Sequence, residues 1–251
     1  MGAGAPILIL QHIACEPPAA YEDELLARGL ELRRVRLDEG ERLPSWRSFA
    51  AIVAMGGPMG TYDESDHPWL RTEKRFIADA VRAGKPYWGV CLGAQLLAVS
   101  LGGRVAPGPS PEVGIGAVRL TREARRDPVF AFAPPAFEAL HWHGDTYTLP
   151  PRAVRLACTA QYEQQAFVLR RAYGLQFHLE VTRALARQWL RVPSYVESLE
   201  LAMGAGAAPG LLEQLDRAST GAIALARLLF ARWLEEVVGL RAGAGHSSAP
   251  G

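Results

Sequence analysis

The chain has 251 residues, 49% hydrophobic and 21% charged, with 27 basic against 26 acidic residues and a formal net charge of +1. That much apolar sequence supports a sizeable core and excludes global disorder, and so even a charge balance excludes an electrostatic footprint for nucleic acid or a membrane surface. The three cysteines, Cys15, Cys91 and Cys158, are odd in number and show no CxxC or Cys/His ligand spacing, so neither a disulfide framework nor a zinc site is indicated.

Residues 1–6 carry no basic n-region, the apolar run 7–10 is too short for a signal peptide, and no run approaches membrane-spanning length. The expected location is a reducing cytoplasm. Residues 7–10 read as a fully buried strand, 21–28 as a helix, 31–36 as a strand, and 51–55 as a buried strand entering Gly56-Gly57-Pro58. A helix over 69–82 and a strand over 86–90 lead to Cys91, and a helix-forming run follows over 94–99. This alternation predicts an α/β fold with a doubly wound, mostly parallel sheet flanked by helices. Beyond Gly103 the texture becomes strand-rich, with short candidates over 113–120, 136–140, 153–157, 166–170 and 173–177 and room for antiparallel pairs. From Thr182 the chain turns helical, over 183–191, 195–203 and 220–238, with residues 204–209 as a linker. The expected organisation is a domain over 1–191, a helical C-terminal extension over 192–241 packed on it, and a disordered tail over 242–251.

Gly89-Val90-Cys91-Leu92-Gly93 carries the strongest chemical signal. A sharp strand-to-helix turn needs small residues on both sides of its central residue, and it aims a helix N-terminus at that side chain. A thiol placed there has a lowered pKa and backbone N–H groups nearby, although a buried cysteine in a tight turn has the same pattern. Gln176-Phe177-His178-Leu179-Glu180 offers a base and an orienter two residues apart, which share a face on an extended segment. A surface histidine before a helix-start glutamate reads the same way. Gly56-Gly57-Pro58 fits both an oxyanion loop and an ordinary βα turn. His141-Trp142-His143-Gly144-Asp145 has two alternate histidines and an aspartate, but no third ligand at fixed spacing; a turn lining a pocket is the expectation, and no metal site. Cys15 and Cys158 read as packing residues, and Trp69, Trp88, Trp142 and Trp189 as core.

In order and spacing, these segments make the chain resemble the class I (triad) glutamine amidotransferases, specifically stand-alone proteins similar to the amidotransferase domain of GMP synthase. The resemblance rests on Met55-Gly56-Gly57-Pro58-Met59, Gly89-Val90-Cys91-Leu92-Gly93-Ala94-Gln95, Val113-Gly114-Ile115-Gly116, His143-Gly144-Asp145 and Gln176-Phe177-His178-Leu179-Glu180. Tyr62-Asp63-Glu64 and Pro68-Trp69-Leu70 also look like the stand-alone members. The resemblance implies a flavodoxin-like fold. It makes Cys91 the nucleophile, His178 the base and then acid, and Glu180 the orienter. It makes the N–H groups of Gly57 and Leu92 the oxyanion hole, Gln95 a glutamine contact, and His143, Gly144 and Asp145 part of the glutamine pocket. Leu179 departs from the family's usual proline between these two side chains, which implies altered local rigidity with the triad intact.

The implied reaction is cleavage of the γ-amide of glutamine through a γ-glutamyl thioester. The segment after Glu180 is short and has no P-loop or other nucleotide fingerprint, so no cofactor is expected and any ammonia acceptor would be a separate synthase subunit. A self-contained γ-glutamyl peptidase acting on γ-glutamyl conjugates is the alternative, and a non-enzymatic interaction module the third. The expected ligand is glutamine or a γ-glutamyl small molecule.

Overall fold

The structure, a computed structural model, describes residues 5–241. The tail expected to be disordered, 242–251, lies outside the described residues. A nine-stranded mixed sheet runs in the order β2-β1-β3-β4-β9-β8-β7-β5-β6. Its parallel half comprises β1 (Ile7–Gln11), β2 (Leu32–Arg36), β3 (Ala51–Ala54), β4 (Tyr87–Val90) and β9 (Ala172–Leu175). Its antiparallel half adds β8 (Ala166–Leu169), β7 (Val154–Cys158), β5 (Val105–Leu120) and β6 (Ala136–Tyr147).

Strand side chains alternate in direction, and this alternation sorts the core. Ile7, Ile9, Val53 and Trp88 face α1 (Ala20–Ala27) and α6 (Ala208–Arg232). Leu8, Leu10, Ile52 and Tyr87 face α2 (Trp69–Arg82) and α3 (Leu92–Ser100). Helices on both faces explain why the central strands are continuous apolar runs. A third cluster joins Leu140 and Trp142 of β6 to α4 (Arg183–Trp189) and α5 (Pro193–Met203).

Three expectations are corrected by the fold. The strand expected at 113 begins at Val105, through Pro107, Pro109 and Pro111, and its pairing with β6 shifts between Pro107 and Glu112. Proline removes ladder donors, so this stretch looks like a loop in sequence. Residues 141–145 are strand rather than turn, because β6 continues to Tyr147. The helix expected from 220 starts at Ala208. Pro209 sits in its first turn, where a missing N–H costs nothing. From α6, Leu225, Ala226, Leu229 and Phe230 enter the main core, and Trp233 just beyond it packs with Phe230 on Trp88. Among the described residues no helix is long and apolar enough to cross a membrane.

Candidate active site

Cys91 sits between β4 and α3 with φ 51°, a region that L-residues rarely adopt. Its flanking glycines explain how the turn is reached. A Cβ on Gly89 would lie 2.6 Å from the Gly93 carbonyl group, and one on Gly93 would lie 2.2 Å from the Ala54 oxygen. The turn is pinned by Cys91 N–H donating to Leu175 O at 2.7 Å, Gly93 N–H to Met55 O at 3.1 Å, and Tyr87 O–H to Gly93 O at 2.8 Å.

His178 and Glu180 lie just beyond β9. His178 N–H donates to Leu140 O at 2.8 Å and Leu140 N–H returns a bond to His178 O at 3.1 Å, so β6 clamps this segment. His178 Nδ1 donates to Glu180 Oε1 at 2.7 Å, and Leu179 N–H donates to Glu180 Oε2 at 3.0 Å. With Nδ1 so engaged, the other ring nitrogen is the one left for the Cys91 sulfur, which lies near enough to help raise the histidine pKa. Burial disfavours charge on His178. The Glu180 carboxylate and the Cys91 sulfur overrule it, and the pKa stands well above the usual histidine value.

Residues around this group tie it further. Gln176, fully buried, donates from Nε2 to Cys91 Sγ at 3.6 Å and accepts from Gln95 Nε2 at 3.1 Å. Gln95 thereby reaches the thiol through Gln176, and it also lines the cleft. Leu92 opens α3, so its N–H is one of those a helix cannot use internally. Gly57 lines the same cleft, and a Cβ there would meet Met59 Sδ at 2.6 Å and Leu92 Cδ2 at 3.1 Å.

Sequence reasoning missed a buried polar layer beneath the Gly56–Gly57 loop. His12 is held by Gly56 O at 3.1 Å on Nδ1 and by Glu73 Oε1 at 3.0 Å on Nε2. Both partners are acceptors, so both ring nitrogens donate. Burial works against that charge, but Glu73 and the Gly56 carbonyl raise the His12 pKa. Glu16 accepts from Tyr195 O–H, while its Oε2 has no partner and lies where a Gly56 Cβ would be. Burial pushes the Glu16 carboxyl up, against the pull of His178. No local motif marks these residues, because their partners lie 44 to 179 positions away.

Cys91 opens into a cleft of about 350 Å³. One wall is the loop Gly57–Asp63, including Tyr62, whose hydroxyl donates to Asp145 Oδ1 at 3.2 Å. The second wall is β6, with Trp142, His143, Gly144 and Asp145. The third is α5, with Ser194, Tyr195 and Ser198. Trp142 Nε1 donates to Ser198 Oγ at 2.8 Å, and its ring stands edge-on to Tyr195. His143 borders the cleft, but Asp145 O at 2.9 Å and Glu112 Oε2 at 3.1 Å take up its ring nitrogens. Burial, with Asp63 nearby, raises the Asp145 pKa against the Tyr62 hydrogen bond. The site therefore brings together a thiol with positive φ at a helix start, a buried imidazole whose pKa is raised, a carboxylate bonded to that ring and an open cleft.

The family model described as "Glutamine amidotransferase class-I" matches residues 19–191. The chain is 32% identical over 179 residues to the glutamine amidotransferase-like protein YfeJ of Salmonella typhimurium, covering 68% of this chain and 74% of that protein. It is 38% identical over 131 residues to the glutamine-hydrolysing GMP synthase of Thermomicrobium roseum, covering 52% of this chain but only 23% of that longer protein. A glutamine amidotransferase crystal structure from Methylobacillus flagellatus superposes with a TM-score of 0.82 at 30% identity, covering 98% of this chain and 99% of that one. From the elbow, the sheet and these likenesses together, the chain belongs to the class-I glutamine amidotransferase family.

Proposed function

We propose that this protein hydrolyses the γ-amide of glutamine, with Cys91 as nucleophile, His178 as acid and base, and Glu180 as orienter. The observation that carries this reading is the buried grouping of Cys91, His178 and Glu180, in which a 2.7 Å bond joins the last two and the sulfur helps raise the imidazole pKa. The raised His178 pKa favours an imidazolium facing a thiolate. The thiolate attacks the γ-carbonyl carbon, a C–S bond forms, and the carbonyl electron pair moves onto oxygen. The N–H groups of Gly57 and Leu92 receive that oxyanion. His178 gives its proton to the leaving nitrogen, the C–N bond breaks, and ammonia departs. Water then attacks the thioester carbonyl while His178 takes its proton. The C–S bond breaks, glutamate leaves and the thiolate is restored.

Gln176 contacts the sulfur, and His12, bonded to Glu73, holds the Gly56 carbonyl and so steadies the loop that carries Gly57. The Thermomicrobium roseum relative is a glutamine-hydrolysing GMP synthase, which supports glutamine as the substrate here and a separate acceptor that consumes the ammonia. One observation favours a γ-glutamyl conjugate as a second substrate class. The third wall of the cleft comes from α5 of this same chain, beyond the family match at 191, so a leaving group larger than ammonia has a surface to meet.

The test is a panel of glutamine and γ-glutamyl amides of increasing size, assayed for glutamate release with wild type and Cys91→Ala. Loss of at least about 10⁴-fold in the variant supports the reading; wild-type turnover by Cys91→Ala overturns it. Release of ammonia from glutamine, against amine from the conjugates, separates the two substrate classes.

A further inference from the structure

Beside the cleft, on the face of β6 that carries His141 and His143, lies a polar cluster that the thiol chemistry does not use. Glu112, from the irregular part of β5, pairs across the strands with His143. Its Oε2 lies 3.1 Å from His143 Nε2 and 3.3 Å from His141 Nδ1. Ligand atoms of all three residues fall within 4.8 Å of one another. Both histidine side chains are buried, at 1% and 2% exposure.

The hydrogen bonds do not balance among these groups alone. Asp145 O can only accept, so His143 Nδ1 donates to it. In the neutral ring, His143 Nε2 then points a lone pair at the Glu112 carboxylate. His141 fares worse: its Nδ1 has no hydrogen-bond partner even though it is 3.3 Å from Glu112 Oε2, and the Gly116 backbone is the ring's other polar neighbour. Gln165 donates from Nε2 to Glu112 Oε2 at 2.5 Å and lies 3.5 Å from His143 Nε2, while its Oε1 is buried without a partner. A proton between Glu112 and His143 would satisfy one pair and still leave His141 Nδ1 without a partner. One cation would take up His141 Nδ1, His143 Nε2 and Glu112 Oε2 together.

We propose that Glu112, His141 and His143 form a binding site for a first-row divalent transition metal of the zinc type. Two neutral imidazoles and one carboxylate are the donor set such ions take. For metal–ligand bonds of about 2.0–2.1 Å, the edges of a tetrahedron are about 3.3–3.4 Å; the two short separations here are 3.1 and 3.3 Å. His143 already has the outer-shell bond expected of a ligand, an N–H given to a backbone carbonyl. The fourth position lies toward Gln165, whose amide, turned over, presents its unpaired oxygen. The metal ties β5 to β6 behind Trp142 and Asp145 and so stiffens the cleft wall, whichever substrate the cleft takes. This site stands apart from the thiol chemistry and does not depend on it.

The experiment uses chelator-stripped full-length protein, titrated with Zn²⁺ by calorimetry and with Co²⁺ by visible absorption. Wild type, Cys91→Ser, His141→Ala and Glu112→Gln are compared, with circular dichroism to check folding. The expected result is one equivalent bound by wild type and by Cys91→Ser, tetrahedral cobalt bands without a thiolate charge-transfer band, and affinity at least about 100-fold weaker in folded Glu112→Gln. His141→Ala should behave like Glu112→Gln, and the glutamine variant decides if the alanine variant does not fold. No binding at 100-fold excess metal, binding that survives Glu112→Gln undiminished, or binding lost in Cys91→Ser each overturns the site.

Discussion

The two halves of the sheet do different work. In the parallel half, β1, β3, β4 and β9 are four or five residues long and buried throughout. In the antiparallel half, β5 and β6 run 16 and 12 residues; β5 is largely half-buried or exposed, and β6 is buried in one run from Ala139 to His143. Cys91 hangs on the first half, where Gly89 and Gly93 leave no room for even a methyl group. Most of the cleft wall comes from the second half and from α5, where Gly144 has no atom within 4 Å of an added Cβ. His178 and Glu180 stand at the seam, following a parallel strand but clamped by β6. Cys91 is thus held where packing leaves least room, and Gly144 marks a stretch of cleft wall where it leaves more.

That contrast can be broken by substitution. Gly93→Ala drives a methyl into the Ala54 oxygen and should cost about 3 kcal/mol or more, read as lost soluble protein or a collapsed denaturant midpoint. An alanine variant as stable as wild type would show that the elbow has slack. Glu180→Gln should lower kcat by about 10²–10⁴-fold without unfolding the chain. The sign of its pH effect follows from the charge removed. Glu180 raises the His178 pKa, so its loss lets the imidazolium deprotonate earlier, and the alkaline limb of kcat/KM should move to lower pH. A limb that stays in place would separate Glu180 from His178.

Smaller effects sharpen the comparison from the other side. Tyr195→Phe strips the donor from the buried Glu16 carboxyl and should cost about 1–3 kcal/mol in thermal unfolding; an unchanged Tm would mean that α5 is a passive cover. Gly144→Ala should change stability by less than about 0.5 kcal/mol while altering KM between substrates of different size. A large loss of stability there would erase the difference between the halves.

Legibility in the sequence follows the same division. The elbow, the His178–Glu180 pair and the buried strands are local patterns, and periods of two and small flanking residues expose them. The β5–β6 region is not local: prolines disguise the start of β5, and Glu112 meets His143 only through strand register. Tyr195 reaches Glu16 from 179 positions away, and Gln176 was visible in a motif yet gained meaning only from its distance to Cys91. Long-range polar contacts depend on how elements stack, and no short window of residues contains that.

The bond from Leu179 N–H to Glu180 Oε2 has a consequence for order rather than charge. The carboxylate is tethered at both oxygens, by a backbone amide and by an imidazole. A tethered carboxylate has surrendered its rotamer freedom during folding, so substrate arrival need not meet that entropy cost again.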